Sequence, residues 1–250
     1  MNTSKSDPAG FEKTAELGKT VEPKKSEGLD KSTSRIWDIP IRLYHWVLLA
    51  LVATSIYTGE SGGFNEMDYH MLAGYSILAL LLFRITWGFV GTYHARFVNF
   101  IRLGAIPAYL KGEPHPGKRK PGGHNPLGAL SVVALLLSIL VQASTGLFAN
   151  DDIFFEGPLA HLVSDEMSNQ LTSIHHLNIK ILYGLIALHL SAIAFHELKR
   201  GERLILAMLH GRRSDTAGPD VPLKWVHELV IASLILALTA GAVFGLINFV

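Results

Sequence analysis

Apolar residues in this chain are gathered into five long blocks, at about 41–59, 69–90, 126–148, 174–195 and 226–250. They do not recur at the spacing of an amphipathic surface helix. Each block holds about 19 to 25 residues, enough for a helix to cross a hydrocarbon layer of roughly 30 Å. Asn125 before Pro126 is an N-cap and first-turn pair that marks where the third block begins. Trp37, Tyr44 and Trp46 form an interfacial belt at the start of the first. The pattern predicts an all-α integral membrane protein with five spans. Residues 1–34 are rich in Lys, Ser, Glu, Thr and Gly and lack the apolar core of a signal peptide. They read as a disordered cytoplasmic tail.

Composition narrows the chemistry. Hydrophobic residues make up 49% and charged residues 17%, below the quarter or so usual in soluble domains. Cysteine is absent, which excludes disulfides, thiolate-held clusters, cysteine zinc sites and covalent haem attachment. A metal or cofactor must therefore be held by histidine or oxygen. The net charge of +1 decides nothing, but its distribution does. Glu60, Glu66 and Asp68 follow the first span, and Asp151, Asp152, Glu156, Asp165 and Glu166 follow the third, with no Lys or Arg beside them. Arg96, Arg102, Lys111, Lys118, Arg119 and Lys120 follow the second, and Lys199, Arg200, Arg203, Arg212, Arg213 and Lys224 follow the fourth. Basic connections stay in the cytoplasm. The expected topology is an N-terminus inside and a C-terminus in the periplasm of a bacterial inner membrane, with lipid as the surrounding partner and no nucleic acid.

Histidine inside a span is costly and reads as functional. His175 and His189 in the fourth block are fourteen residues apart, which returns to within about 40° of one helix face and separates them by about 21 Å. His176 lies about 140° away from His189 on the same wheel, so His175 is the better partner, although the tandem leaves His176 open as the ligand. In the predicted topology His45 lies at the inner depth of His189, and His70 at the outer depth of His175. Two bis-histidine b-type haems, one above the other, need that pattern and no cysteine. Arg84, fourteen residues after His70, and Arg42, one turn before His45, are candidate cations for the haem propionates; the alternative is a pair of arginines snorkelling to the interface. Gln142 and Thr145 are polar groups at outer depth, suited to helix–helix hydrogen bonds.

Five segments resemble one family. They are W-D-I-P-I-R-L-Y-H-W (Trp37–Trp46), H-M-L-A-G-Y (His70–Tyr75), F-R-I-T-W-G-F-V-G (Phe83–Gly91), G-H-N-P-L-G (Gly123–Gly128) and the H-x13-H of the fourth block. In that order they are similar to the bacterial cytochrome b561 and nickel–iron hydrogenase cytochrome b family. The resemblance runs from about Arg35 to Arg213. It implies a four-helix transmembrane bundle binding two b haems through His45, His70, His175 and His189, exchanging electrons between the quinone pool and a redox partner. Within the fourth motif Asn125 is explained as a cap, while His124 is a candidate contact for a propionate or a quinone headgroup, against the alternative of a turn histidine packed at the interface. The chain departs from the family pattern in its fifth block.

The expected organisation is a tail (1–34), a di-haem transmembrane domain (35–213), and a linker with one additional helix (214–250). The expected function is electron transport across the membrane, as part of a respiratory chain, between quinone and a periplasmic partner such as a c-type cytochrome or an oxidoreductase subunit. Three rivals stand beside it: an anchor subunit of a hydrogenase or dehydrogenase, a haem-free metal or proton transporter, and a structural membrane protein with incidental histidines.

Overall fold

Helix α1 (Ile39–Ser61) begins where Asp38 caps it: the carboxylate accepts the Ile41 N–H at 2.7 Å. Pro40 occupies the first turn, where a missing N–H costs nothing. After Gly62 and Gly63 the chain reverses into α2 (Phe64–Val90). Two short helices follow, α3 (Phe97–Phe100) and α4 (Ile106–Leu110). Asn125 caps α5 (Pro126–Gly146), its side chain accepting the Gly128 N–H at 2.6 Å. Helix α6 (Asp165–Arg200) has Ser164 as its cap, Asp165 and Glu166 in the first turn and Lys199 and Arg200 in the last. Both ends thus complement the helix dipole. The short α7 (Leu204–His210) precedes α8 (Trp225–Phe249). This computed structural model describes residues 34–101, 103–111, 120–121, 125–213, 216–217 and 225–249. The predicted tail lies outside them apart from Ser34, which opens a two-residue strand paired with Arg212–Arg213.

Helices α1, α2, α5, α6 and α8 are each long and apolar enough to cross a membrane. The protein is an all-α, multi-pass membrane protein. Two helices extend well beyond their apolar blocks: α6 starts at Asp165, ahead of residue 174, and α2 at Phe64, ahead of residue 69. Hydropathy marks the part of a helix in lipid, whereas the cap marks where the helix begins. The extra turns carry Asn65, Glu66 and Asp68 in α2 and Asp165, Glu166, Asn169 and Gln170 in α6, which suit a position beyond the hydrocarbon.

Helix α2 is the axis of the bundle. Of its most apolar stretch 56% is buried, against 11–17% for the other four. It packs on α1, α5 and α8, and α5 packs on α6. Toward the end that carries the basic loops, Tyr44, Phe83, Trp87 and Ala232 form one core cluster. In the middle Ile77, Leu81, Ile139 and Leu182 join α2, α5 and α6. Toward the end that carries the acidic loops, Leu78, Leu147, Leu159 and Val243 form a third. Since α8 contributes to the first and the last, it lies along α2 for most of its length. At the basic end Arg42 donates to the Leu209 carbonyl at 2.6 Å, and Ile36 N–H to the Gly211 carbonyl at 2.9 Å, fastening α7 to the start of α1.

Candidate functional site

Two histidines from different helices meet at the acidic end. His70 on α2 and His175 on α6 have ring centres 6.1 Å apart, at 76° to one another. Each ring is held from behind by a main-chain carbonyl of the neighbouring helix. His70 Nδ1–H donates to the Ser55 carbonyl of α1 at 2.8 Å, and His175 Nδ1–H donates to the Gln142 carbonyl of α5 at 3.0 Å. These bonds fix both tautomers and leave each Nε2 as the lone-pair nitrogen, the arrangement typical of metal-ligating imidazoles. Each ring also lies against a glycine. A Cβ added at Gly59 would stand 2.9 Å from the His70 ring, and one at Gly146 would stand 3.1 Å from the His175 ring. Only a residue without a side chain lets the imidazole lie that close to the helix backbone. His176 is exposed, and the ring that meets His70 is that of His175.

Toward the basic end, His45 on α1 and His189 on α6 are both half-buried. His45 Nδ1 is buried with no hydrogen-bond partner. A buried ring nitrogen without a partner is costly in a protein interior and marks a position where a ligand belongs.

Arg84, toward the basic end of α2, is 5% exposed, with its guanidinium 4.7 Å from the centre of the Phe97 ring. Its Nη1 and the neighbouring Tyr44 hydroxyl are both buried and unpartnered. An arginine held there suits an anion. Arg42, the other predicted cation, is engaged with the carbonyls of Leu209 and Asp38. His124 lies outside the described residues.

Several residues around these pairs went unread in the sequence. Besides capping α1, Asp38 accepts from the Trp87 indole N–H at 3.1 Å and from the Thr92 hydroxyl. His94 is buried beside this group; burial pushes its imidazole below the ordinary histidine range, with Asp38 opposing. Gly59 did have a signal, since it stands fourteen residues after His45, the interval that separates His70 from Arg84 and His175 from His189. A main-chain carbonyl such as that of Ser55 has none.

Ring geometry decides what the acidic-end pair can hold. Opposed imidazoles bound to one metal at about 2 Å each have ring centres separated by roughly 6 Å. The observed 6.1 Å fits a metal between them, and among the described residues no group of three or more His, Asp or Glu converges on an ion. Residues 36–211 match the prokaryotic cytochrome b561 family. The chain belongs to this family. It is also similar to proteins described as probable Ni/Fe-hydrogenase B-type cytochrome subunits. The protein of Rhizobium leguminosarum bv. viciae is 22% identical over 218 residues, covering 75% of this chain and 91% of the relative. Those of Azotobacter chroococcum and Azotobacter vinelandii are each 26% identical over 214 residues, covering 71% of this chain and 87% of the relative. No solved structure gives a significant match. As a cytochrome b561 family member the chain is a b-type membrane cytochrome with a role in electron transfer. Helix α8 lies beyond the matched residues.

Proposed function

We propose that this cytochrome carries electrons across the bacterial inner membrane through two b haems, between the quinone pool and a periplasmic redox partner. The observation that carries this reading is the His70–His175 pair, with both Nδ1 atoms tied to carbonyls and both Nε2 atoms left as donors to a metal. His70 and His175 would hold a haem near the acidic end, and His45 and His189 would hold the other near the basic end. A bound b haem supplies a one-electron couple. The chain's own residues orient the imidazoles, exclude water and place a cation, Arg84, where a propionate needs one. Arg42 and His124 are further candidates at the same level. The basic loops face the cytoplasm and the acidic loops the periplasm, which leaves the N-terminus inside and the C-terminus outside. Residues 35–213 form the haem-binding unit, with 214–250 as a linker and an added helix. A quinone, dissolved in the same lipid, is the electron carrier such a bundle meets.

Haem quantitation on purified protein tests this. The parent is expected to carry two haems per chain, His175→Ala to lose at least one, and His176→Ala to keep both. One haem in the parent, or full retention on replacing His175, sinks the assignment. A second reading, a cytochrome subunit anchored to a hydrogenase, is favoured by the descriptions of the relatives. Co-purification of a large oxidoreductase subunit at stoichiometric yield would select it.

A further inference from the structure

A buried polar triad lies about one turn deeper in the bundle than the His70–His175 pair. Asn178 on α6 is 7% exposed, and its amide is fully used. The NH2 group donates to the Ser138 carbonyl at 2.9 Å and to Gln142 Oε1 at 2.7 Å, and Oδ1 accepts from the Ser138 hydroxyl at 3.2 Å. Gln142 is thereby gripped at both ends, its side chain by Asn178 and its main-chain carbonyl by His175. Ser138, Gln142 and Gly146 follow one another at four-residue spacing on α5, so they form one stripe facing Asn178 and His175 on α6.

In the middle of an apolar bundle a leucine would pack at no cost in desolvation, so an asparagine needs a reason. Interhelical amide bonds in lipid contribute on the order of 1 kcal/mol, too little to make the triad a main source of stability. What such a group does well is fix the register of two helices, as a single buried asparagine does in coiled coils. Here the register decides where the Gln142 carbonyl stands. That carbonyl receives the His175 Nδ1–H, which sets the ring orientation and the electron density at Nε2.

We infer that Asn178 is a positioning residue for the His175 imidazole, acting through Ser138 and Gln142 to tune the haem at the acidic end. This rests on His175 being an axial ligand, as proposed above. A firm Nδ1–H···O=C bond makes the imidazole a stronger donor and favours the oxidised metal. Loosening it raises the reduction potential of that haem and leaves the other unchanged.

The experiment measures both reduction potentials, and the low-temperature EPR signals of the oxidised haems, in the holoprotein and in Asn178→Leu. The expected result is two haems retained, with one component reduced about tenfold more readily, equivalent to about 59 mV for a one-electron couple. Its EPR signal moves as well. Should Asn178→Leu fail to assemble, Gln142→Met keeps the main-chain carbonyl at 142, replaces the side-chain amide whose Oε1 Asn178 grips, and is expected to move the same component in the same direction. Both potentials and both signals unchanged in a folded variant overturn the inference, as does an equal shift of both haems, which a merely structural role would give. His175→Ala keeps the two readings separable: haem retained there defeats the ligand assignment, whereas haem lost there with Asn178→Leu silent defeats only the positioning role.

Discussion

At the scale of single residues, the His70–His175 pair at the acidic end depends as much on missing side chains as on present ones. His70 and His175 reach their carbonyls because Gly59 and Gly146 let the rings lie against the opposite backbone. An alanine at Gly59 brings its Cβ to 2.9 Å from His70 Cε1 and Nδ1, so the ring must move, and the first bond to suffer is the one to Ser55. Gly59→Ala is expected to lower haem occupancy by up to tenfold, in the range of other lost supporting contacts around metal ligands. Gly146→Ala, with the nearest approach 3.1 Å, is expected to act in the same direction but less. The haem-to-protein ratio from the reduced spectrum checks both. Equal occupancy in the parent and both variants would show that the rings tolerate displacement. That His70 and His175 meet was legible in the sequence, because spacing and span order set the depth of each side chain. Their orientation was not legible, because Ser55 and Gln142 contribute main-chain carbonyls, and every residue has one.

At the scale of elements, the five spans could be read because lipid forces each crossing segment to be a long apolar helix. The clamp where α1, α2 and the turn after α2 converge could not. Asp38 caps α1 with one oxygen and takes the Trp87 indole and the Thr92 hydroxyl with the other. In sequence these are an aspartate before a proline-led helix and, about fifty positions on, a tryptophan within the F-R-I-T-W-G-F-V-G segment and a threonine just after it, with nothing to join them. Asp38→Ala removes a cap worth about 0.5–2 kcal/mol. It also strands a buried indole N–H, a further cost of about 1–3 kcal/mol. The midpoint of thermal unfolding in detergent should fall by several degrees, with Asp38→Asn in between. His94 beside this clamp adds a pH dependence with a definite sign. Its folded-state affinity for protons is depressed below that of the unfolded chain, whose histidine titrates near about 6.5. The unfolded chain therefore binds the proton more readily. The His94 contribution is complete above about pH 6.5 and is lost as the pH falls below it. His94→Phe should flatten the slope of unfolding temperature against pH between 7 and 5; an unchanged slope would assign it to other groups.

For the whole molecule, charge is sorted by end. Glu60, Glu66 and Asp68 lie at the reversal between α1 and α2, and Asp151, Asp152 and Glu156 in the connection from α5 to α6. The second loop is shaped by its own acid: Asp151 accepts the N–H groups of Ile153, Phe154 and Phe155 at 2.8–2.9 Å. Those bonds hold its carboxyl below the ordinary carboxylate range. Ile153 and Phe154 stand exposed at this turn, and Phe154 packs on Phe64 at the start of α2, 5.2 Å between ring centres. An apolar centre with an acidic rim suits a partner with a basic rim, and rim charges act mainly on the rate of encounter. Electron exchange with a basic c-type cytochrome, used as a probe, should therefore slow by about tenfold or more as the ionic strength rises from about 10 mM to about 150 mM, where the Debye length shrinks from roughly 30 Å to roughly 8 Å. Asp68→Asn, Asp152→Asn and Glu156→Gln combined leave the Asp151 turn intact, since asparagine tolerates the left-handed backbone that Asp152 adopts. That triple variant should be slower at low salt and nearly insensitive to added salt, with both haem potentials unchanged. A rate independent of ionic strength in the parent would remove charge from the docking step and leave the exposed aromatic tip as the feature that a partner, or the lipid surface, recognises.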